Sequence, residues 1–186
     1  MIKYSRFQKS GKREVLKASM MKLIKRHTYL DRLRNVRGTP DIKIIVGVRR
    51  GGKSKLLESF KELLSSEDDV NIIYIDLSDL ANENLLEYHA LNDYVLSNTK
   101  DGIENVLMID EVQECKGFER TINSLHNSGK YDIYLTGSNA FLLSSDLATL
   151  FTGRQMEIHV YPFPLPSFWR IIRARSTGRA CLTGIS

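Results

Sequence analysis

Eight consecutive residues carry the spacing of a phosphate-binding loop. Residues 47–54 read GVRRGGKS and satisfy the pattern G-x-x-x-x-G-K-[ST] in every fixed position. Gly47, Gly51 and Gly52 permit positive φ and a close approach of the backbone, so that successive N–H groups from Arg50 onward can point at phosphate oxygens. The pattern therefore predicts a site for the phosphates of a nucleotide.

Two side chains of this loop supply the chemistry that a nucleotide needs. Lys53 would reach the β- and γ-phosphates as a point charge, and the hydroxyl of Ser54 would ligate Mg²⁺. A helix beginning near Lys53 would add its partial positive charge at the same point. Arg50, whose N–H lies in the cradle, and Lys55, which follows the magnesium ligand, are also nucleotide-binding candidates. The Lys55 side chain is expected to face outward.

Two carboxylates follow an apolar segment farther along the chain. Residues 106–109 read VLMI, and Asp110 and Glu111 come directly after them. At the C-terminal edge of a strand, such side chains lie in the crevice where open α/β sheets bind ligands. Asp110 would hold Mg²⁺ through water, and Glu111 would polarise a water molecule for in-line attack on the γ-phosphate. This motif is weak alone, and the upstream phosphate loop makes it strong.

Two later segments contain further candidates, each with an ordinary alternative. Ser138 and Asn139 end the segment TGSN, beside the phosphate-loop strand in this layout. They would contact the γ-phosphate or the attacking water, or else form a turn and a helix cap. Arg154 would sense phosphate or act as an arginine finger in a neighbouring subunit, and the alternative is an ordinary surface arginine.

These residues require elements that bring the ends of several strands together. Short β-branched or apolar segments predict strands, and helical spacing of apolar residues predicts helices between them. The predicted strands are residues 42–46, 71–77, 106–109, 131–135 and 156–161. The predicted helices are residues 23–33, 53–64, 85–96, 118–126 and 140–150. The alternation predicts an α/β protein of the P-loop NTPase type, with a mostly parallel five-stranded sheet and helices on both faces.

The composition is that of one ordinary domain. The chain has 186 residues, 42% of them hydrophobic and 26% charged. Its sequence has neither the long apolar segment of a membrane helix nor an apolar secretory signal at its start, so we expect a cytoplasmic protein with no membrane partner. Cys115 and Cys181 lack the spacing of zinc ligands, and we assign them no chemistry.

The formal charge of +5 belongs to the two ends of the chain. Residues 1–38 hold twelve Lys or Arg against two acids, whereas residues 39–169 hold eleven basic and twenty acidic residues. The basic ends of the chain leave open a contact with nucleic acid, but the acidic central region does not support one. Solvated tails are the simpler interpretation of the two basic ends. We expect a basic, poorly ordered extension at 1–20, an ATPase domain at 21–163, and an irregular, truncated or frame-shifted tail at 164–186.

Several segments together resemble the prokaryotic AAA-type ATPases that carry an uncharacterised C-terminal domain. They read IKIIVGVRRGGKSKLL, VLMIDEVQ, KYDIYLTGSNAFLLSSDLATLFTGR and EIHVYPF. The resemblance implies nucleotide, magnesium and catalytic roles for Lys53, Ser54, Asp110 and Glu111, sensor roles for Ser138 and Asn139, and places for Gln113 and Arg154 in family motifs. Lys55 stands where the family usually has threonine. Family members are much longer, so the resemblance implies a fragment.

Four functions compete at this point. The first is magnesium-dependent ATP hydrolysis, for which Glu111 is the discriminating residue. The second is a nucleotide-binding remnant without turnover, and the third is a small-molecule kinase, which would need an arginine-rich lid that the sequence lacks between the third and fourth strands. The fourth is a nucleic-acid-associated ATPase fragment, whose affinity would depend steeply on salt. The first of these functions leaves open whether the protein forms a homo-oligomer.

Overall fold

The computed structural model describes residues 27–138, 151 and 153–161. The chain divides into two compact units, Met1–Arg37 and Gly38–Ser186. In the first unit, helix α1 covers His27–Asn35, and its Leu30 and Leu33 are buried. The predicted extension at 1–20 and tail at 164–186 lie outside the described residues. Among the residues described, no helix is long and apolar enough to span a membrane.

The second unit alternates strands and helices, as predicted. Its strands are β1 (Ile42–Val46), β2 (Val70–Asp76), β3 (Glu104–Asp110), β4 (Tyr131–Thr136) and β5 (Gln155–His159). Its α-helices are α2 (Lys53–Leu64), α3 (Tyr88–Ser97) and α4 (Phe118–Asn127), with short 3₁₀ helices at Leu80–Leu85 and Val112–Glu114. The predicted helix at 140–150 lies outside the described residues.

The helix predicted at 85–96 is wrong at its start. Leu85 ends a 3₁₀ helix, Glu87 is extended, and α3 begins only at Tyr88. The reason is a distant backbone contact. Lys116 donates its N–H to the Leu86 carbonyl at 2.8 Å and its carbonyl accepts the Tyr88 N–H at 3.2 Å, which keeps Glu87, between these two residues, extended. Apolar spacing alone does not contain that interaction.

All five strands are parallel and lie in the order β2-β3-β4-β1-β5. Strands β1 and β4 are adjacent, with Ile45 paired to Thr136, and β3 pairs with β4 on the other side. Because all strands run the same way, the loops after β1, β3 and β4 emerge at one edge of the sheet. This edge holds the phosphate loop, the two acids and residues 136–138.

Helices cover both faces of the sheet, and the alternation of side chains shows which helix covers which face. One face buries Ile44, Leu107 and Leu135 in a core shared with residues of α3 and α4. Residues one position away point to the opposite face, where the ring of Tyr134 packs against Phe60 of α2 with 5.1 Å between ring centroids. The sequence-based prediction of the fold class is confirmed.

The α2 face contains a buried ion pair that the sequence did not reveal. Lys43 of β1 is fully buried, and its Nζ lies 2.5 Å from Asp132 Oδ1 of β4 and 2.5 Å from the Thr39 carbonyl. The other carboxylate oxygen accepts the Tyr134 hydroxyl at 3.0 Å and the Gly38 N–H at 3.2 Å. Each charge is thus paired and hydrogen bonded, which is the condition for burying it.

Candidate functional site

The phosphate loop connects β1 to α2, and its glycines have different tasks. A Cβ on Gly47 would lie 2.4 Å from the Val160 carbonyl oxygen, and one on Gly51 would lie 2.7 Å from that of Val48. These two glycines are therefore needed for close packing of backbone. Positive φ occurs instead at Gly52 (86°) and at Arg50 (62°). A left-handed arginine is unusual, and such conformations cluster at functional sites.

The first two residues of α2 face different neighbours: Lys53 contacts the loop, and Ser54 lies near the acid at the end of β3. Lys53 is 6% exposed, and its Nζ donates to the Gly47 carbonyl at 3.0 Å, so the ammonium lies over the loop. Gly52 is the N-cap of α2 and has no side chain that could accept hydrogen bonds from the amides of the first turn. Those amides remain available to an anion, which also gains from the helix N-terminus. The Ser54 hydroxyl lies close enough to the Asp110 carboxylate to favour its ionised form.

Asp110 ends β3 and is 1% exposed. Burial raises the pKa of its carboxyl above the ordinary value, and hydrogen bonds from Thr136 and Ser54 oppose this shift without cancelling it. The nearby charges of Asp76 and Glu111 raise the same pKa further. A cation at this carboxylate would favour the ionised form, because it would supply the opposite charge that the surroundings lack.

Thr136, the last residue of β4, holds both acids, and the sequence analysis missed it. Its hydroxyl donates to Asp110 Oδ1 and accepts the backbone N–H of Glu111 at 3.2 Å. Thr136 is fully buried at the end of the strand beside β1. The signal that could have found it was its position, one residue before the glycine of the TGSN segment, at the same sheet edge as the acids.

Glu111 occupies a left-handed conformation, with φ of 53°. Its side chain accepts a hydrogen bond at Oε2 from Gln113 Nε2, at 2.6 Å. Gln113 Oε1 in turn accepts the backbone N–H of Ser138, at 3.2 Å. The structure therefore brings Ser138 into the same group as Glu111, through Gln113. Asn139, the neighbouring sensor candidate, lies outside the described residues.

The structure does not bring Arg154 or the Lys55 side chain to the loop. Arg154 precedes β5, and its carbonyl accepts the N–H of Ile42 at 2.8 Å, at the end of β1 opposite the phosphate loop. Its guanidinium contacts Asn127 at 3.4 Å. The Lys55 side chain is exposed and pairs with Glu58, whose hydrogen bond and charge raise the lysine pKa.

The donor set at this edge suits Mg²⁺ together with phosphate oxygens. Magnesium prefers oxygen ligands and retains several waters, so one hydroxyl and one carboxylate from the protein are enough when a nucleotide supplies the rest. Ser54 and Asp110 are such a pair. Across 27–138, 151 and 153–161, no group of three or more His, Cys, Asp or Glu could hold a metal ion by itself.

A family model described as AAA domain matches residues 39–169. That range includes the phosphate loop, both acids, Thr136 and Arg154, and it covers most of the chain. The chain belongs to the AAA domain family. This confirms the resemblance drawn from the sequence segments.

Two curated relatives of this AAA domain are described as uncharacterized proteins. One, from Haemophilus influenzae, is 35% identical over 149 residues, which are 78% of the present chain and 37% of the relative. The other, from Methanocaldococcus jannaschii, is 34% identical over 131 residues, which are 68% of the chain and 28% of the relative. The chain thus spans about a third of the length of these relatives.

Solved structures support the fold of the AAA domain. Cdc6p from Pyrobaculum aerophilum superposes with a TM-score of 0.55 at 14% identity, covering 82% of the chain and 49% of that protein. DnaA from Aquifex aeolicus, solved with AMPPCP bound, gives a TM-score of 0.51 at 17% identity, covering 84% of the chain and 51% of that protein. At such identities the likeness concerns the fold alone.

Proposed function

We propose that this AAA domain binds ATP with Mg²⁺ and hydrolyses the bond to the γ-phosphate. The observation that carries the proposal is the approach of the Ser54 hydroxyl, at the start of α2, to the Asp110 carboxylate, at the end of β3. These are the two oxygen donors that the motifs assign to magnesium, and they come from separate segments of the chain. The family match supports a nucleotide as the ligand.

Binding of the phosphates is assigned to the loop. The free amides of the first turn of α2 and the ammonium of Lys53 would receive the β- and γ-phosphate oxygens. For this, the Lys53 Nζ would exchange its hydrogen bond to the Gly47 carbonyl for one to phosphate. Magnesium, held by Ser54 and by Asp110 directly or through water, would supply charge neutralisation for the transferred group.

Hydrolysis is assigned to Glu111. Its carboxylate would accept a proton from a water molecule as the water oxygen attacks the γ-phosphorus and the bond to the bridging oxygen breaks. The products are ADP and inorganic phosphate. The half-buried position of Glu111, directly after Asp110 at the end of β3, supports this role.

The test is magnesium-dependent ATP hydrolysis by the purified chain, with nucleotide binding measured in the same samples. Lys53→Ala is expected to weaken binding and abolish turnover, and Glu111→Gln to bind ATP but hydrolyse it at least about 100-fold more slowly. Lys61→Ala, an exposed lysine on the same helix, is the matched control and should retain both properties. A folded chain that binds no nucleotide would refute the proposal.

The principal alternative is a nucleotide-binding domain without turnover. It is favoured by the length comparison, because the curated relatives extend well beyond the matched region. ATP binding that depends on Lys53, with no hydrolysis by the unaltered chain, would establish this alternative. The nucleic-acid alternative predicts affinity that falls steeply with salt and is lost when residues 1–19 are deleted.

A catalytic role for Arg154 would require a second copy of the chain. Its backbone lies at the sheet end opposite the phosphate loop, so an arginine finger would have to act on a neighbouring subunit. Mixing Arg154→Ala with Lys53→Ala tests this directly. Restored turnover in the mixture would show that the arginine of one copy serves the site of another, and unrestored turnover would leave Arg154 without that role.

A further inference from the structure

Among the residues that the structure describes, Gln113 is the only one whose side chain donates a hydrogen bond to the carboxylate of Glu111. Its Nε2 donates to Glu111 Oε2 at 2.6 Å, and its Oε1 accepts the Ser138 N–H at 3.2 Å. A carboxylate can only accept and a backbone N–H can only donate, so a single orientation of the amide satisfies both neighbours. The Ser138 amide thereby determines that Gln113 presents its NH₂ group to Glu111.

The backbone of Glu111 also has a partner at the end of β4, the strand that precedes Ser138. Thr136 accepts the Glu111 N–H at 3.2 Å, while Glu111 keeps a left-handed φ of 53°. Such a conformation is unfavourable for a residue with a side chain and persists only where neighbouring groups enforce it. The end of β4 therefore holds Glu111 twice, at its backbone through Thr136 and at its carboxylate through Gln113 and Ser138.

We propose that Gln113 is a positioning residue for hydrolysis, which aims the Glu111 carboxylate by holding Oε2 and leaving Oε1 to accept the proton of the attacking water. The inference rests on the proposed function of Glu111. It assigns to Gln113 no contact with nucleotide or magnesium. Loss of the Gln113 contact should therefore slow the chemical step and leave nucleotide affinity unchanged.

The test uses two substitutions of similar size in the full chain. Gln113→Met removes the hydrogen bonds to Glu111 and Ser138, together with a longer one of 3.4 Å to the exposed Glu114 carboxylate. Gln113→Glu keeps an acceptor for the Ser138 N–H but offers no donor to Glu111 and adds a like charge. Both are expected to lower kcat between about 10-fold and 100-fold with the dissociation constant of ATP unchanged. Lys116→Met, an exposed residue just after the same turn, is the control and should keep full kcat.

The outcomes separate this inference from the proposed function. Full kcat in Gln113→Met, or in Gln113→Glu, would overturn the positioning role while the unaltered chain still hydrolyses ATP. Weakened ATP binding with unchanged kcat would also overturn it, because that pattern indicates a binding residue or a disturbed loop. A chain that binds ATP but never hydrolyses it would refute the proposed function, and the role of Gln113 would fail with it.

Discussion

Thr136 donates a hydrogen bond from its hydroxyl to the Asp110 carboxylate, across the boundary between the ends of β4 and β3. Both side chains are buried, and the same hydroxyl oxygen accepts the N–H of Glu111 at 3.2 Å. One threonine thus satisfies the proposed magnesium ligand and the backbone of the proposed catalytic residue. Without it, a buried carboxylate and a neighbouring N–H would each lose a partner.

Replacing Thr136 with valine should show how much these two hydrogen bonds contribute to the free energy of unfolding. Thr136→Val keeps the shape of the side chain but removes the hydroxyl, and we expect the free energy of unfolding to fall by about 1–3 kcal/mol. Thr136→Ser retains the hydroxyl and should lose less. Urea unfolding of both variants measures the difference, and a valine variant as stable as the unaltered chain would contradict the assigned role.

The close packing of Gly47 against Val160 leads to a second prediction. Gly47→Ala would place a Cβ 2.4 Å from a backbone oxygen, so β5 or the loop must move, and nucleotide binding should fall by at least about 10-fold. Gly129→Ala is the control, because φ is 67° there but nothing lies within 4 Å of the new Cβ. It should cost stability without affecting binding. Equal nucleotide affinity in both variants would refute the packing argument.

The buried pair of Lys43 and Asp132 predicts strong coupling between the two positions. Lys43→Met would leave a buried carboxylate without its cation, and we expect a loss of about 3–5 kcal/mol in the free energy of unfolding. Adding Asp132→Asn removes the stranded charge and keeps an acceptor for Tyr134, so part of the loss should be regained. A double-mutant cycle in urea measures this coupling. Additive losses would contradict it.

Asp110 should make the nucleotide-free protein less stable as pH rises. Burial raises the pKa of Asp110 above its unfolded value, so the folded state holds the proton more tightly, and stability falls as pH rises from the unfolded to the folded pKa. Asp110→Asn should therefore have a higher Tm than the unaltered chain at pH 7. The difference should shrink in acid, where the carboxyl is protonated in both states.

Melting curves recorded across this pH range, without magnesium or nucleotide, provide the measurement. Asp101→Asn is the control, because Asp101 is 95% exposed at its side chain and should change Tm little at any pH. If Asp110→Asn melts below the unaltered chain at neutral pH, the contacts of the Asp110 carboxylate with the Thr136 and Ser54 hydroxyls outweigh the burial of its charge. Adding magnesium and ATP should stabilise the unaltered chain far more than the variant.

Local sequence patterns were sufficient to predict the strand and the helix on either side of the phosphate loop. The bounds of β1 and α2 agree with the prediction, because an apolar β-branched segment, a glycine loop and a helical stripe follow one another without a gap. The helix predicted at 85–96 failed at its start because the backbone of Lys116, far along the chain, binds Leu86 and Tyr88 and keeps Glu87 between them extended. Short-range spacing cannot report a long-range hydrogen bond.

By itself, the sequence determined the class of fold, the phosphate loop and the two acids, because each depends on residues close together in the chain. Tertiary structure alone decided that Thr136 holds both acids, that Gln113 bridges Glu111 to Ser138, and that Arg154 lies away from the loop. These facts depend on the pairing of parallel strands and on side-chain directions at their ends. No spacing within one segment encodes which partner a buried hydroxyl or amide will meet across the sheet.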